Sequence, residues 1–156
     1  MCINRWKKFN PTDEYLAIIN ELNTVDKLRN YMEKIEYVPD KIFCDKWQIP
    51  IETVKRGKGD CEDFAIFAID VLVRVIKIAE ARFISYIGRH IGRGHSVCVF
   101  PYKAKLYVFS NNDLVAYGKD YIDIGHLFFD DGLKYMEIRD YKGNVLKRKI
   151  KILGTF

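Results

Sequence analysis

The chain passes from a glycine-loosened turn into an apolar segment at Gly57-Lys58-Gly59-Asp60-Cys61-Glu62-Asp63-Phe64. Asp60 is a suitable helix N-cap, and apolar residues then recur at the helical interval as far as about Glu80. Because a helix that is apolar on nearly every side is buried, the pattern predicts a central helix with Cys61 at its first position. The apolar positions are Phe64, Ala65, Ala68, Val71, Leu72, Val75 and Ile76, with Ile66, Phe67 and Ile69 between them.

The segments on either side of this helix indicate an α+β fold. Two short helices are predicted before it, over Asp13 to Leu22 and after a Thr24 cap, and Glu36 to Lys58 reads as a loop. We expect one domain over 1–156, with a helical part at 1–80 and an antiparallel sheet at 81–156 on which the central helix packs. Asn111 to Asp131 has no clear assignment. The predicted strands are Arg82 to Ile87, His95 to Phe100, Lys105 to Phe109, Lys134 to Arg139 and Asn144 to Ile152.

Composition and charge narrow the class of protein. With 156 residues, 49% of them hydrophobic, the chain can bury one core, which excludes a disordered or fibrous protein. The net charge of +5 is mild and forms no dense basic face, so we expect no nucleic-acid partner. No apolar run is long enough for a membrane span and no signal peptide is evident, so we expect a cytoplasmic protein without a membrane partner. Cys2, Cys44, Cys61 and Cys98 should then be reduced thiols.

Cys61 has the position of a nucleophile. The N–H groups and the positive end of the helix dipole favour a thiolate there, and the same N–H groups could hold an oxyanion. Asp60, Glu62 and Asp63 surround the thiol with negative charge, which opposes its ionisation. Position alone is equally compatible with an inert, buried cysteine. A base is needed to decide between the two.

The chain has three histidines that could supply this base. His95 begins an alternating strand, and a strand end is rigid enough to position an imidazole. His90 lies in a predicted loop, and His126 lies in the segment without an assignment. His95 is therefore the best-placed candidate.

Three motifs, taken together, resemble the bacterial transglutaminase-like cysteine proteinases. They are Asp45-Lys46-Trp47-Gln48-Ile49-Pro50-Ile51-Glu52-Thr53, Gly59-Asp60-Cys61-Glu62-Asp63-Phe64-Ala65 and Gly94-His95-Ser96-Val97, and the resemblance covers roughly 27–112. It implies a papain-like arrangement, with Cys61 as the nucleophile on the central helix and His95 as the base on a strand. A third residue that follows the next strand should orient the imidazole.

The third residue departs from the family pattern, which has an aspartate here. After Leu106-Tyr107-Val108-Phe109, strict alignment with the family pattern puts Ser110 at the position of the aspartate. A shift of the alignment by one residue puts Asn111 there, and Asp113 lies further along the chain. We favour Asn111, because an amide oxygen can accept a hydrogen bond from the imidazole and set its tautomer. The alternative is that the residues after Phe109 form only a polar turn and that the catalytic triad has lost its third member.

The resemblance also implies roles for residues around the nucleophile. Gln48 would donate its amide to the oxyanion and Trp47 would wall the cleft, although simple core packing is the alternative for Trp47. No cofactor is required. In some relatives, acids that match Asp60, Glu62 and Asp63 hold calcium, so a calcium site is one interpretation of these residues. The alternative is that acids in the first turn of a helix only complement the positive end of the helix dipole.

The expected function is acyl transfer from a protein or peptide substrate through a thioester at Cys61. The resemblance favours hydrolysis, and a cross-linking transglutaminase would share the first half-reaction. The rival from another class is a non-catalytic binding or assembly module that keeps the fold. Substrate and oligomeric state are not indicated, and either a bacterium or a phage could carry such a protein.

Overall fold

The computed structural model of the chain describes residues 6–40, 46–90, 92–117 and 120–152. The predicted thiols Cys2 and Cys44, and Asp45 of the first motif, lie outside the described residues. Cys61 and Cys98 are free thiols. Among the described residues, no helix is both long and apolar enough to cross a membrane.

Four of the five described helices begin at a polar residue whose side chain accepts a hydrogen bond from the first turn. The caps are Thr12, Thr24, Asp60 and Asp120, and each satisfies an N–H group that the helix itself cannot pair. The remaining helix has a proline at its start and Gly57 in the left-handed conformation at its end. The helices are α1 (Asp13–Asn20), α2 (Val25–Met32), α3 (Pro50–Arg56), α4 (Cys61–Arg74) and α5 (Tyr121–Phe128).

The strands form one large sheet and one small ladder. Strands β1 (Glu36–Tyr37) and β2 (Lys58–Gly59) pair in parallel just before α4. The other six form an antiparallel sheet in the order β6-β5-β4-β3-β7-β8. Their bounds are β3 (Arg82–Gly88), β4 (Gly94–Tyr102), β5 (Lys105–Ser110), β6 (Asp113–Tyr117), β7 (Leu133–Arg139) and β8 (Val145–Ile152).

The sheet separates two hydrophobic clusters. On one face, α4 packs between the sheet and helices α1 and α2, and its residues from Asp63 to Leu72 are buried. On the other face, β3, β4 and β7 pack with α5. Side chains of β4 alternate between the two, because Cys98 and Phe100 belong to the α4 cluster and Val97 and Val99 to the α5 cluster. The predicted α+β fold, with a central cysteine-bearing helix on an antiparallel sheet, is confirmed.

Three segments differ from the sequence prediction. Helix α4 ends at Arg74 rather than near Glu80, because the chain turns at Lys77, whose φ is 69°. The expected loop over 36–58 contains α3 as well as both short strands, and the unassigned segment contains β6 and α5. A helix therefore interrupts the part that was expected to be sheet alone.

Candidate active site

The start of α4 is held by a reciprocal capping arrangement. Asp60 Oδ1 accepts the Asp63 N–H at 3.3 Å, and Asp63 Oδ2 accepts the Asp60 N–H at 3.2 Å. Asp63 also accepts the backbone N–H of Gln48 at 2.7 Å, which ties the segment before α3 to the first turn of α4. Cys61 therefore stands on a rigidly anchored helix start.

A polar chain connects the Cys61 thiol to the sheet. Cys61 Sγ donates to Glu62 Oε2 at 3.0 Å, and Ser96 Oγ donates to Glu62 Oε1 at 3.1 Å. Ser96, on β4, also hydrogen-bonds Ser85 on β3, with 3.0 Å between the two hydroxyl oxygens. Each oxygen of the Glu62 carboxylate thus has a partner, one on the helix and one on the sheet.

The thiol is in its neutral form in this arrangement. Burial raises the pKa of Cys61 far above its usual range, and the charge and hydrogen bond of Glu62 raise it further, whereas the Ser96 backbone N–H lowers it. Burial, which the sequence did not reveal, is thus the largest effect on the thiol, and Glu62 and Asp60 act in the same direction. The thiol needs a base before it can attack a carbonyl.

His95 has the properties of such a base. Its Nε2 lies 2.8 Å from Ser110 Oγ, and its ring centroid lies 4.8 Å from that of Phe128 on α5. Burial lowers the pKa of His95, and the Glu62 charge only partly offsets this. The imidazole is consequently neutral near pH 7, which leaves a ring nitrogen free to accept a proton.

The thiol and the imidazole have different hydrogen-bond partners. Ser96 faces α4, where it reaches Glu62, whereas the ring of His95 packs against α5. Within the part of the chain that the structure describes, no hydrogen bond joins Cys61 Sγ to His95; the thiol bonds Glu62 and the imidazole bonds Ser110. In this arrangement the two groups are held separately.

The predicted contact between Asn111 and the imidazole is made by Ser110 instead. Ser110 is the last residue of β5 and pairs with Asp113 across a two-residue turn. Asn111 begins that turn in the left-handed conformation, with φ of 53°, and its Oδ1 is buried without a partner among the described residues. Because a shift of one residue along a strand reverses the face of the side chain, Ser110, the residue given by strict alignment, meets His95 and Asn111 does not.

The predicted oxyanion role of Gln48 does not match its contacts. Its side-chain amide donates to Asp63 Oδ2 and, at 3.4 Å, to the Lys58 carbonyl, so both amide hydrogens are used inside the protein. Trp47 is a core residue, 9% exposed, whose ring lies 5.1 Å from that of Phe83. Both residues support the loop that precedes the nucleophile, and core packing describes Trp47 better than a cleft wall does.

The three acids that flank the thiol do not converge on one point. The oxygens of Asp63 accept N–H groups of Gln48 and Asp60, and Glu62 is directed to the thiol and Ser96. No group of three or more acidic, cysteine or histidine side chains suited to a metal ion occurs in 6–40, 46–90, 92–117 and 120–152. In this conformation the acids do not fit a calcium ion, which needs six to eight oxygen ligands around one centre.

A cavity of about 480 Å³ opens beside the imidazole. It is bounded by the loop before β4, the turn after β5 and the end of α5. Its lining includes both His95 and Ser110 but not Cys61, so it extends from the histidine side of the site. The lining residues are Gly92, Arg93, Gly94, His95, Ser110, Asn111, Phe128 and Phe129.

Asp60 should give the folded protein a marked pH dependence. Burial, together with the charges of Glu62 and Asp63, raises the pKa of Asp60 to about 8. A carboxyl with a higher pKa in the folded than in the unfolded chain stabilises the fold while protonated, so stability should decline as the pH rises from about 4 to about 8. Asp60→Asn keeps a capping oxygen without the charge, and we expect it to exceed the wild type by about 1–2 kcal/mol at pH 8.

Urea unfolding at pH 4, 6 and 8 measures this effect. The two proteins should have similar stability at pH 4, where the wild-type carboxyl is protonated, and diverge as the pH increases. Parallel stability curves for the two proteins over this range would contradict the assignment.

Sequence reasoning missed two contributors to the site. Glu62 was interpreted as a source of negative charge and a possible calcium ligand, although Ser96 follows His95 directly and must face the opposite side of β4, toward α4. Phe128, which supports the imidazole, lies on a helix that had not been assigned. The alternation of β4 was the signal available for the first, and the Asp120 cap for the second.

Comparison with known proteins agrees with this architecture. A family model described as a transglutaminase-like domain matches residues 4–141, which confirms the resemblance carried by the three motifs. The chain is also similar to LapG of Legionella pneumophila, with 23% identity and a TM-score of 0.46 over 65% of this chain and 57% of that chain.

Two further LapG structures match to the same extent. The calcium-bound form has 24% identity and a TM-score of 0.46, with 65% of this chain and 57% of that chain covered. The EGTA-treated form has 23% identity and a TM-score of 0.47, with 65% and 56% covered. The matched region thus spans little more than half the length of these structures. No curated protein matches the sequence.

Proposed function

Since the chain belongs to the transglutaminase-like domain family, we propose that it catalyses cysteine-dependent acyl transfer from a peptide or amide substrate, with hydrolysis as the outcome. Cys61 is the nucleophile, His95 is the general base and Ser110 orients the imidazole. The observation that carries the proposal is the junction of α4 and β4, where Glu62 hydrogen-bonds both the thiol and Ser96, on the strand that bears the histidine. The substrate is a protein or peptide.

The chemistry requires the thiol to exchange its contact with Glu62 for one with His95. The imidazole takes the thiol proton, the sulfur attacks the carbonyl carbon, and the protonated imidazole then gives its proton to the departing amine. Water, deprotonated by the same imidazole, cleaves the thioester and restores the thiol. The free N–H groups of the first turn of α4 are the oxyanion donors in this scheme, because Gln48 uses its amide elsewhere.

His95 is suited to the task by its protonation state. With its pKa lowered by burial, the imidazole is neutral at pH 7 and able to accept the proton. The Ser110 hydroxyl on Nε2 fixes the ring and leaves Nδ1 for the thiol. A serine orients the ring more weakly than the aspartate of the family pattern does, so modest turnover is expected.

A non-catalytic binding module is the second candidate, and one observation favours it. Among the described residues, the thiol bonds Glu62 rather than the imidazole, and the third position carries a serine. A protein that keeps the fold for binding would have no need to bring the two groups together.

Acylation by a small activated ester separates the two candidates. With p-nitrophenyl acetate, we expect one acetyl group per chain, mapped by peptide mass spectrometry to Cys61 and lost again with time. Cys98 is the internal control, because this thiol is fully buried and lies outside the site. Acetylation confined to lysines, or no difference between the two thiols, would favour the binding module.

The same assay distinguishes hydrolysis from cross-linking. A primary amine such as putrescine, added at millimolar concentration, competes with water for the thioester. If acetate remains the main product, the hydrolytic assignment holds. If acetylputrescine dominates, the site is a transamidating one.

A further inference from the structure

The Glu62 side chain links the Cys61 thiol to the sheet. It is the residue directly after Cys61, and its two carboxylate oxygens hold the thiol at 3.0 Å and the Ser96 hydroxyl at 3.1 Å. Ser96 is in turn held by Ser85, with 3.0 Å between their oxygens. The carboxylate is therefore fixed from the sheet and not free to rotate with the thiol.

We propose that Glu62 is a positioning residue that keeps the Cys61 thiol in a resting orientation, and that the thiol becomes able to react when it separates from Glu62. The inference rests on the proposed function, since a resting orientation has meaning only for a nucleophile. The thiol hydrogen points at Glu62 Oε2 in this state, so it is not available to His95. Each partner of the proposed pair is occupied by another residue, Cys61 by Glu62 and His95 by Ser110.

The charges around the thiol assign this role to Glu62 rather than to its neighbours. The titratable groups that act on the sulfur are Glu62 and Asp60 at the start of α4 and Tyr37 on β1, and His95 on β4 lies near Glu62. Near pH 7 the imidazole and the phenol are neutral, because burial lowers the pKa of His95 and raises that of Tyr37. The pKa of Asp60 is raised to about 8, so that this carboxyl is largely protonated as well. Glu62 is thus the main negative charge facing the thiol.

The same contact explains why the thiol must move when it ionises. While Sγ carries its hydrogen, it donates to the carboxylate and the pair is stable. To ionise, the thiol leaves Glu62, which stays bonded to Ser96, and turns toward His95 as its proton passes to the imidazole. A thiolate and a carboxylate at the present separation of 3.0 Å would repel each other, because neither can donate, so the ionised sulfur does not return to Glu62. Deprotonation and reorientation are therefore one coupled step.

Alkylation of Cys61 by iodoacetamide, followed by mass spectrometry from pH 5 to 10, tests the inference without any substrate. In Glu62→Gln we expect the apparent thiol pKa to fall by about one unit and alkylation at pH 7 to become ~10-fold faster. Ser96→Ala leaves the charge but frees the carboxylate, so a smaller increase is expected. Glu80→Gln, which removes an exposed acid beyond α4, is the matched control and should leave the rate unchanged.

The outcomes separate this inference from the proposed function. Unchanged or slower alkylation of Cys61 in folded Glu62→Gln overturns the positioning role, even if the ester assay detects an acyl-enzyme. Faster alkylation in Glu62→Gln supports the restraint by Glu62 even if the ester assay detects no acyl-enzyme; in that case only the catalytic assignment fails. Circular dichroism establishes whether each variant is folded. If Glu62→Gln does not fold, the alkylation rate of Ser96→Ala tests the inference instead.

Discussion

Replacement of His95 with alanine should slow acylation of Cys61 by p-nitrophenyl acetate about 10²- to 10⁴-fold, the usual contribution of a general base. Burial, together with the charge and hydrogen bond of Glu62, raises the pKa of the Cys61 thiol, so attack on the ester requires a base that removes the proton. Nitrophenolate release, followed by absorbance, measures the rate. Ser110→Ala should have a smaller effect, about tenfold, because it loosens the ring without removing it.

The controls for this prediction lie within the chain. His90 is 67% exposed at its side chain and pairs with Asp131, so His90→Ala should leave the acylation rate unchanged. His95→Gln retains most of the side-chain volume against Phe128 and should be as inactive as the alanine variant. Wild-type acylation should persist down to pH 6.5 and decline only below it, because the base is neutral above a pKa that lies under 6.5. An alanine variant within a factor of two of the wild type would refute the assigned base.

Removal of the Asp63 side chain should be the most destabilising change near the site. The residue is 1% exposed, and its carboxylate accepts the Gln48 N–H at 2.7 Å, the Asp60 N–H at 3.2 Å and the Gln48 side-chain amide. Asp63→Ala leaves these donors buried without a partner, which should cost about 3 kcal/mol and lower the Tm by about 10 °C. Differential scanning calorimetry measures the change.

Asp13→Ala is the matched control for this variant. Asp13 is also an acid in the first turn of a helix, but it is exposed, so its loss should cost no more than about 0.5 kcal/mol. If Asp63→Ala is as mild as Asp13→Ala, the reciprocal cap and the Gln48 anchor do not stabilise the start of α4. Burial raises the pKa of Asp63, so calorimetry at several pH values shows how the cost of Asp63→Ala changes as the carboxyl ionises.

Much of the fold could be predicted because its strongest signals are local. The apolar residues of α4 have no polar face, which indicates burial on every side, and the cap at Asp60 marks where the helix begins. The predicted strands His95 to Phe100 and Lys105 to Phe109 lie within β4 and β5, which pair with each other in the structure. These patterns depend only on which residue types neighbour one another along the chain.

The two missed helices carry weaker or contradictory signals. Helix α3 has only seven residues, and its markers were the proline at its start and Gly57 at its end. In α5, Gly125 argues against a helix, yet a Cβ at this position would lie 2.7 Å from the ring of Tyr86. Close packing of α5 on β3 therefore requires the glycine that made the helix hard to predict.

The sequence by itself determined the family, the cysteine-bearing helix and the pairing of Cys61 with His95 as candidate nucleophile and base. Helical and strand periodicity place each residue on its own element, and the motifs supplied the rest. Only the tertiary structure decided which groups touch: Ser110 instead of Asn111 on the imidazole, and Glu62 instead of His95 on the thiol. The His95–Ser110 contact joins residues 15 positions apart, and Glu62, although next to Cys61 in the chain, is held by Ser96, 34 positions away, so both arrangements depend on strand register and helix docking. A shift of one residue in register would reverse them, because adjacent side chains on a strand face opposite sides of the sheet.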